Sequence, residues 1–114
     1  MGEERSLLDN LLMELHRGTL VLSVLNRARE ETYGYALVQG LEERGLPADP
    51  NTLYPLLRRM EKQGLLESRW ETGGSKPRKY YRRTEYGDEI YHQLKRRWQE
   101  LAAGLERLLR EGDA

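Results

Sequence analysis

The sequence has no cysteine, which removes disulfides, thiolate metal sites and cysteine nucleophiles at once. It also lacks any run of about 18 apolar residues, and it opens on Glu3 and Glu4 instead of a basic segment followed by an apolar one. Neither a membrane span nor an export signal is therefore expected, and the location fits the cytoplasm. The two histidines, His16 and His92, have no acidic or cysteine partners at metal-ligand spacing, so no metal is expected. A phosphate-binding glycine loop and a recognisable serine-histidine-acid arrangement are missing too, which argues against an enzyme and against a cofactor.

Net charge is absent as well, with 19 basic and 19 acidic side chains, but the balance conceals an asymmetry. Between Asn51 and Thr84 there are nine Lys and Arg against three acids, a net +6, so the rest of the chain carries −6. A basic block confined to one third of 114 residues is the footprint of polyanion binding, with acidic flanks that discourage indiscriminate contact.

Periodicity divides the chain into helix, helix, helix, hairpin, helix. Leu8, Leu11, Leu12 and Leu15, continued by Leu20, Val21, Val24 and Leu25, predict a helix over Leu7 to Arg29, either continuous or as two abutting at Gly18. Thr32 is placed to cap a second helix over Tyr33 to Arg44, which Gly45 ends. Asp49-Pro50 starts a third, over Pro50 to Gln63, and Gly64 stops it. Pro55 opposes this by removing one backbone bond, leaving a start at Tyr54 as the alternative. Leu65 to Thr72 and Pro77 to Arg83 flank Gly73-Gly74-Ser75-Lys76 and read as a β-hairpin. Thr84 caps a final helix over Glu85 to Arg110.

On a helical wheel the third helix gathers Leu53, Leu56, Leu57 and Met60 on one side. The other side holds Asn51, Pro55, Arg58 and Lys62, flanked by Thr52, Tyr54 and Arg59. Such a face suits a DNA major groove, where Asn and Arg make bidentate contacts to base edges while Lys, Thr and Tyr more often hold phosphates. At the hairpin, Lys76, Arg78 and Lys79 sit beside two glycines that allow close approach to a phosphate backbone. Lysine and arginine also protect strand edges from aggregation, so the hairpin alone leaves both readings open.

Tyr33-Gly34-Tyr35, Asn51-Thr-Leu-Tyr-Pro-Leu-Leu-Arg-Arg-Met-Glu-Lys-Gln-Gly-Leu65, Trp70 and Pro77-Arg-Lys-Tyr-Tyr-Arg-Arg-Thr-Glu-Tyr-Gly87 together resemble the PadR family of bacterial regulators. The resemblance covers roughly Thr19 to Gly87 and includes Pro55. It implies a mainly α winged helix-turn-helix with a small β-hairpin and a long C-terminal dimerisation helix. It further implies a homodimer on double-stranded DNA with inverted half-sites, often with a small-molecule inducer. Carried over by position, Tyr35, Asn51, Thr52, Tyr54 and Arg58 map to the DNA-facing helices and Lys76, Arg78 and Lys79 to the wing. Arg83 departs from the pattern, which usually has an apolar residue there. A long Arg can meet this by burying its stem and keeping its head in water.

The last helix carries Tyr91, Leu94, Trp98, Leu101, Leu105 and Leu108 at alternating spacings of three and four, a seam that needs a partner helix. A two-fold dimer is expected in which this seam and Leu8, Leu11, Leu12 and Leu15 pack across subunits. Trp98 is the candidate effector residue, since its flat face near the dimer axis can stack on an aromatic ligand; filling the dimer core is the plainer role. The chain is accordingly divided into residues 1–84, the DNA-binding unit, and residues 85–114, the dimerisation helix. The expected function is an effector-responsive repressor, and the rival is a winged-helix protein-interaction module that binds no DNA.

Overall fold

Gly45 and Gly64 adopt positive φ angles of 73° and 80°, and each ends a helix. With no Cβ to clash, a glycine turns the chain left-handed at little cost and lets the following amide close back on the helix. Leu46 N donates to Leu41 O at 2.8 Å and Leu65 N to Met60 O at 2.9 Å, the closures that such turns make. The computed structural model describes residues 2–46 and 48–113. Its elements are α1 (Gly2–Arg27), β1 (Thr32–Tyr33), α2 (Gly34–Glu42), α3 (Pro50–Lys62), β2 (Leu66–Glu71), β3 (Arg78–Arg83) and α4 (Glu85–Asp113).

Helix α1 runs unbroken through Gly18. Helix α3 starts at Pro50, not at Tyr54, because the Asp49 carboxylate accepts from Asn51 N at 2.9 Å and proline at the first helical position has no donor to lose. Pro55 lies inside that helix. The expected cap at Thr32 does not form. Thr32 and Tyr33 instead pair antiparallel with Tyr81 and Tyr80, so β3 becomes the middle strand of a three-stranded sheet in the order β1-β3-β2. Tyr33 then precedes α2 in extended conformation without a side-chain cap. A β-branched residue beside an aromatic favours strand pairing, and β3 offered a free edge. Thr84 does cap α4, accepting from Gly87 N at 2.9 Å while its hydroxyl donates to Gly64 O at 2.6 Å.

The core joins α1 (Val24, Leu25), α2 (Leu37), α3 (Leu53, Leu57, Met60), Leu66 of β2 and Tyr91 of α4. Helix α4 approaches closely at Gly87, where an added Cβ would stand 2.1 Å from Leu65 O. Tyr91, expected on the dimer seam, is buried within the chain, and its hydroxyl accepts from Asn26 Nδ2 at 2.7 Å.

The Arg83 head does not reach water as expected. Its side chain is 13% exposed; it donates to Leu25 O at 3.0 Å and Asp88 Oδ1 at 2.6 Å, and its guanidinium carbon lies 4.5 Å over the Tyr91 ring. The reason lies at the end of α1. Leu25 O is among the last carbonyls of that helix, which lack intrahelical partners and carry partial negative charge, so a cation is drawn to them. Among the described residues no helix is long and apolar enough to cross a membrane.

Candidate nucleic-acid interface

The sharp division of α3 is realised in three dimensions. Leu53, Leu56, Leu57 and Met60 are buried, while Asn51, Thr52, Tyr54, Pro55, Arg58, Arg59 and Lys62 are exposed. The exposed side faces outward because the buried one carries the core, so its donors and cations remain available.

Between α3, the start of α2 and the hairpin lies an open groove of about 800 Å³. Tyr35, Tyr54, Arg58, Lys76, Arg78 and Lys79, all singled out from sequence, line it together. Tyr35 is 60% exposed and its hydroxyl accepts from Gln39 Nε2 at 2.9 Å. Tyr54 is packed against the backbone of Gly34, where a Cβ would stand 2.1 Å from its Cε1, so glycine there lets α2 and α3 meet. Asn51 and Lys62 lie on the same helix face but outside the groove lining, and Thr52 borders a second hollow of about 490 Å³ beside Leu12, Met13 and His16 of α1.

The hairpin register sorts its side chains. Trp70 opposes Lys79, and Ser68 opposes Tyr81, so these four share the strand face that meets α3. Arg69 and Tyr80 share the other face with Glu71 and Arg78. On that outer face Arg78 lies 4.5 Å over the Tyr33 ring, Tyr33 meets Tyr80 edge to face at 5.4 Å, and Arg69 lies 5.0 Å over Tyr80. Arg69 also forks onto Glu31 at 2.6 and 2.8 Å and reaches Glu71 at 3.1 Å. Hydrogen bonding from Arg69 is the main cause that lowers the pKa of Glu31 and of Glu71, and the same bonds, Glu31 first, raise that of Arg69.

On the inner face Lys79 Nζ stands 3.2 Å from Glu61 Oε1, and Ser68 Oγ donates to Glu61 Oε2 at 2.5 Å. The Ser68 hydrogen bond is the largest influence on Glu61 and lowers its pKa; burial disfavours the Lys79 charge, but Glu61 and Tyr81 outweigh it and raise that pKa. Lys79 is thus engaged within the chain, unlike exposed Lys76.

Tyr33, Trp70 and Tyr80 also line the groove and were not among the sequence-derived site residues. Period-two alternation from buried Leu66 through Ser68 to Trp70 was the available signal for Trp70. Tyr33 was hidden by its expected place in the second helix.

Trp98 lies elsewhere, in a hollow of about 230 Å³ whose walls include Leu22, Leu41, Leu46 and Tyr91 and whose rim carries Arg27, Arg44 and Lys95. Leu8, Leu11, Leu12 and Leu15 on α1, and Leu94, Leu101, Leu105 and Leu108 on α4, are exposed. Among the described residues no group of three or more His, Asp or Glu is placed to hold a metal ion.

A family model described as the transcriptional regulator PadR-like family matches residues 21–102. A transcriptional regulator of Mycobacterium tuberculosis is 35% identical over 92 residues, covering 80% of this chain and 86% of that protein. The crystal structure of a PadR family transcriptional regulator from Eggerthella lenta aligns with a TM-score of 0.86 and 48% identity, over 96% of this chain and 97% of the other. Bacillus subtilis PadR, crystallised in complex with operator DNA, aligns with a TM-score of 0.62 and 25% identity over 66% of this chain and 44% of that longer one.

Proposed function

Because the chain belongs to the PadR-like family of transcriptional regulators, we propose that it is a sequence-specific DNA-binding repressor, acting as a homodimer on inverted half-sites and released by a small aromatic effector. The observation that carries this reading is the groove in which Tyr35, Tyr54 and Arg58 of the helices face Lys76 and Arg78 of the wing. In it α3 enters the major groove; Asn51 and Arg58 read base edges, while Tyr35, Thr52, Tyr54 and Lys62 hold phosphates. The wing grips the flanking backbone. That the Bacillus subtilis relative was crystallised with operator DNA supports the assignment.

Residues 1–84 bind DNA and residues 85–114 join the protomers. The exposed leucines of α1 and α4 support the dimer, since apolar stripes of this length are otherwise left in water. Trp98, beside an apolar hollow with a cationic rim, supports an aromatic effector.

Selecting duplexes from a random pool with purified protein tests the reading. Sites with two-fold symmetry are expected, and with roughly six to ten phosphate contacts affinity should fall about 10³- to 10⁵-fold between 50 and 200 mM salt. No enriched site and a flat salt dependence would favour a winged-helix module that binds protein instead.

A further inference from the structure

Glu61 stands on α3 between Arg58 and Lys62, both on the DNA-facing side, yet its own carboxylate turns to the wing. One oxygen accepts from Ser68 of β2 at 2.5 Å and the other meets Lys79 of β3 at 3.2 Å. A single side chain of the reading helix therefore holds both strands of the hairpin. Both partners are about two-thirds covered, with side-chain exposures of 28% for Lys79 and 33% for Glu61. Lys79 is further held by the Tyr81 ring, 5.3 Å from its Nζ.

Resting on the DNA-binding reading above, we infer that Glu61 is a positioning residue for recognition: it fixes the wing against the reading helix and withholds Lys79 from phosphate. Two consequences follow from the chemistry. A lysine on a free four-carbon stem attracts any phosphate and so strengthens binding to every sequence alike, whereas a tethered one does not. And a wing fixed to α3 sets the distance between the major-groove contacts and the flanking phosphate contacts, which must be constant for base contacts to discriminate. The wing then grips phosphate through exposed Lys76 at its tip and exposed Arg78, whose guanidinium lies over the Tyr33 ring.

Glu61→Gln separates the clamp from simple folding, since the amide keeps an oxygen for Ser68 and loses the charge that holds Lys79. Without DNA, amide exchange in the Ser68–Lys79 hairpin should rise about fivefold while that of the helical core is unchanged. Unchanged hairpin exchange overturns the clamp whether or not the protein binds DNA. On a random-sequence duplex of about three helical turns, the slope of log affinity against log salt should steepen by about 0.9 for each lysine released. Adding Lys79→Gln should return it to the wild-type value, and Lys79→Gln alone should leave it there. A flatter slope in Lys79→Gln alone shows that the lysine already contacts phosphate and overturns the inference. So does a double variant that stays steep, which would assign the change to the lost carboxylate itself. Wild-type protein with no salt-dependent binding to any duplex would overturn the DNA-binding reading and with it the role of the clamp in recognition; the hairpin exchange would then decide only whether Glu61 holds the wing.

Discussion

Leucines in the winged body and leucines in the helical arms have opposite fates. Leu25, Leu37, Leu53 and Leu57 are fully buried, whereas Leu15 and Leu101 are 64% and 72% exposed. Burying one leucine contributes about 1.5–3 kcal/mol, so the body realises this gain within one chain and the arms leave it unrealised. The lesson is that one sequence specifies two kinds of structure. The body is closed by its own side chains, with β3 paired on both edges and α4 docked at Gly87. The arms are helical, and their leucines stay exposed in the single chain.

If the arms pair between protomers as proposed above, the largest effect should come from charging them. Leu101→Glu with Leu105→Glu places two charges on the exposed seam; sedimentation should show monomers, and affinity for a selected operator should drop about 10³-fold, towards the non-specific level. A dimer that survives both changes would move the interface off α4. Leu57→Ala, in the body, should lower unfolding free energy by about 2–5 kcal/mol, read from a denaturant melt at fixed protein concentration. Its transition should depend on protein concentration no more than that of the wild type, because Leu57 is covered by its own chain. The arm variants should lose that dependence altogether.

This division also marks what the sequence made legible. The reading helix was clear because Leu53, Leu56, Leu57 and Met60 recur at the helical period and Asp49-Pro50 and Gly64 mark its ends. The wing was clear from its glycine-rich turn. What stayed hidden were contacts between residues distant in sequence. Thr32 reads locally as a helix cap, and only the free edge of β3, some 50 positions on, turns it into a strand. Arg83 reads as a surface residue until the end of α1 brings Leu25 O beside it. Lys79 reads as a free cation at the wing until β3 brings it 3.2 Å from Glu61 of α3. Periodicity reports which face of an element is apolar, but it cannot say which polar groups from elsewhere will meet that face.

Arg83 gives the next contrast, a mostly covered charge at the edge of the core. Asp88→Asn removes a carboxylate that is half in water but leaves a guanidinium that is mostly covered, with the Leu25 carbonyl and the Tyr91 ring as its remaining partners. A loss of about 1 kcal/mol is expected, near the upper end for solvent-screened pairs. Arg83→Leu should stay within about 1 kcal/mol of the wild type because the charge leaves together with the need to pair it. If Arg83→Leu were the more damaging by a wide margin, the bond to Leu25 O would be what matters, and the ion pair secondary.

The smallest effect separates the wing from the core by pH. Glu31, Glu61 and Glu71 all have pKa values below the ordinary 4.5, each chiefly through a hydrogen bond from Arg69 or Ser68. A carboxylate whose pKa is lower when folded stabilises the folded state fully above its unfolded value and loses that contribution as pH falls through the folded one. Between pH 7 and about 5 the wing should therefore be unchanged. Below about 4.5 it should loosen first, because among the described residues the core buries no charged or polar side chain that could titrate. The Arg69 Nε–H resonance reports this directly, since Nε donates to Glu31 at 2.6 Å. On acidification that resonance should move towards the position of a free guanidinium while the Leu57 methyl signals stay in place. Simultaneous movement of both would mean that wing and core unfold as one unit and that the ion pairs do not act locally.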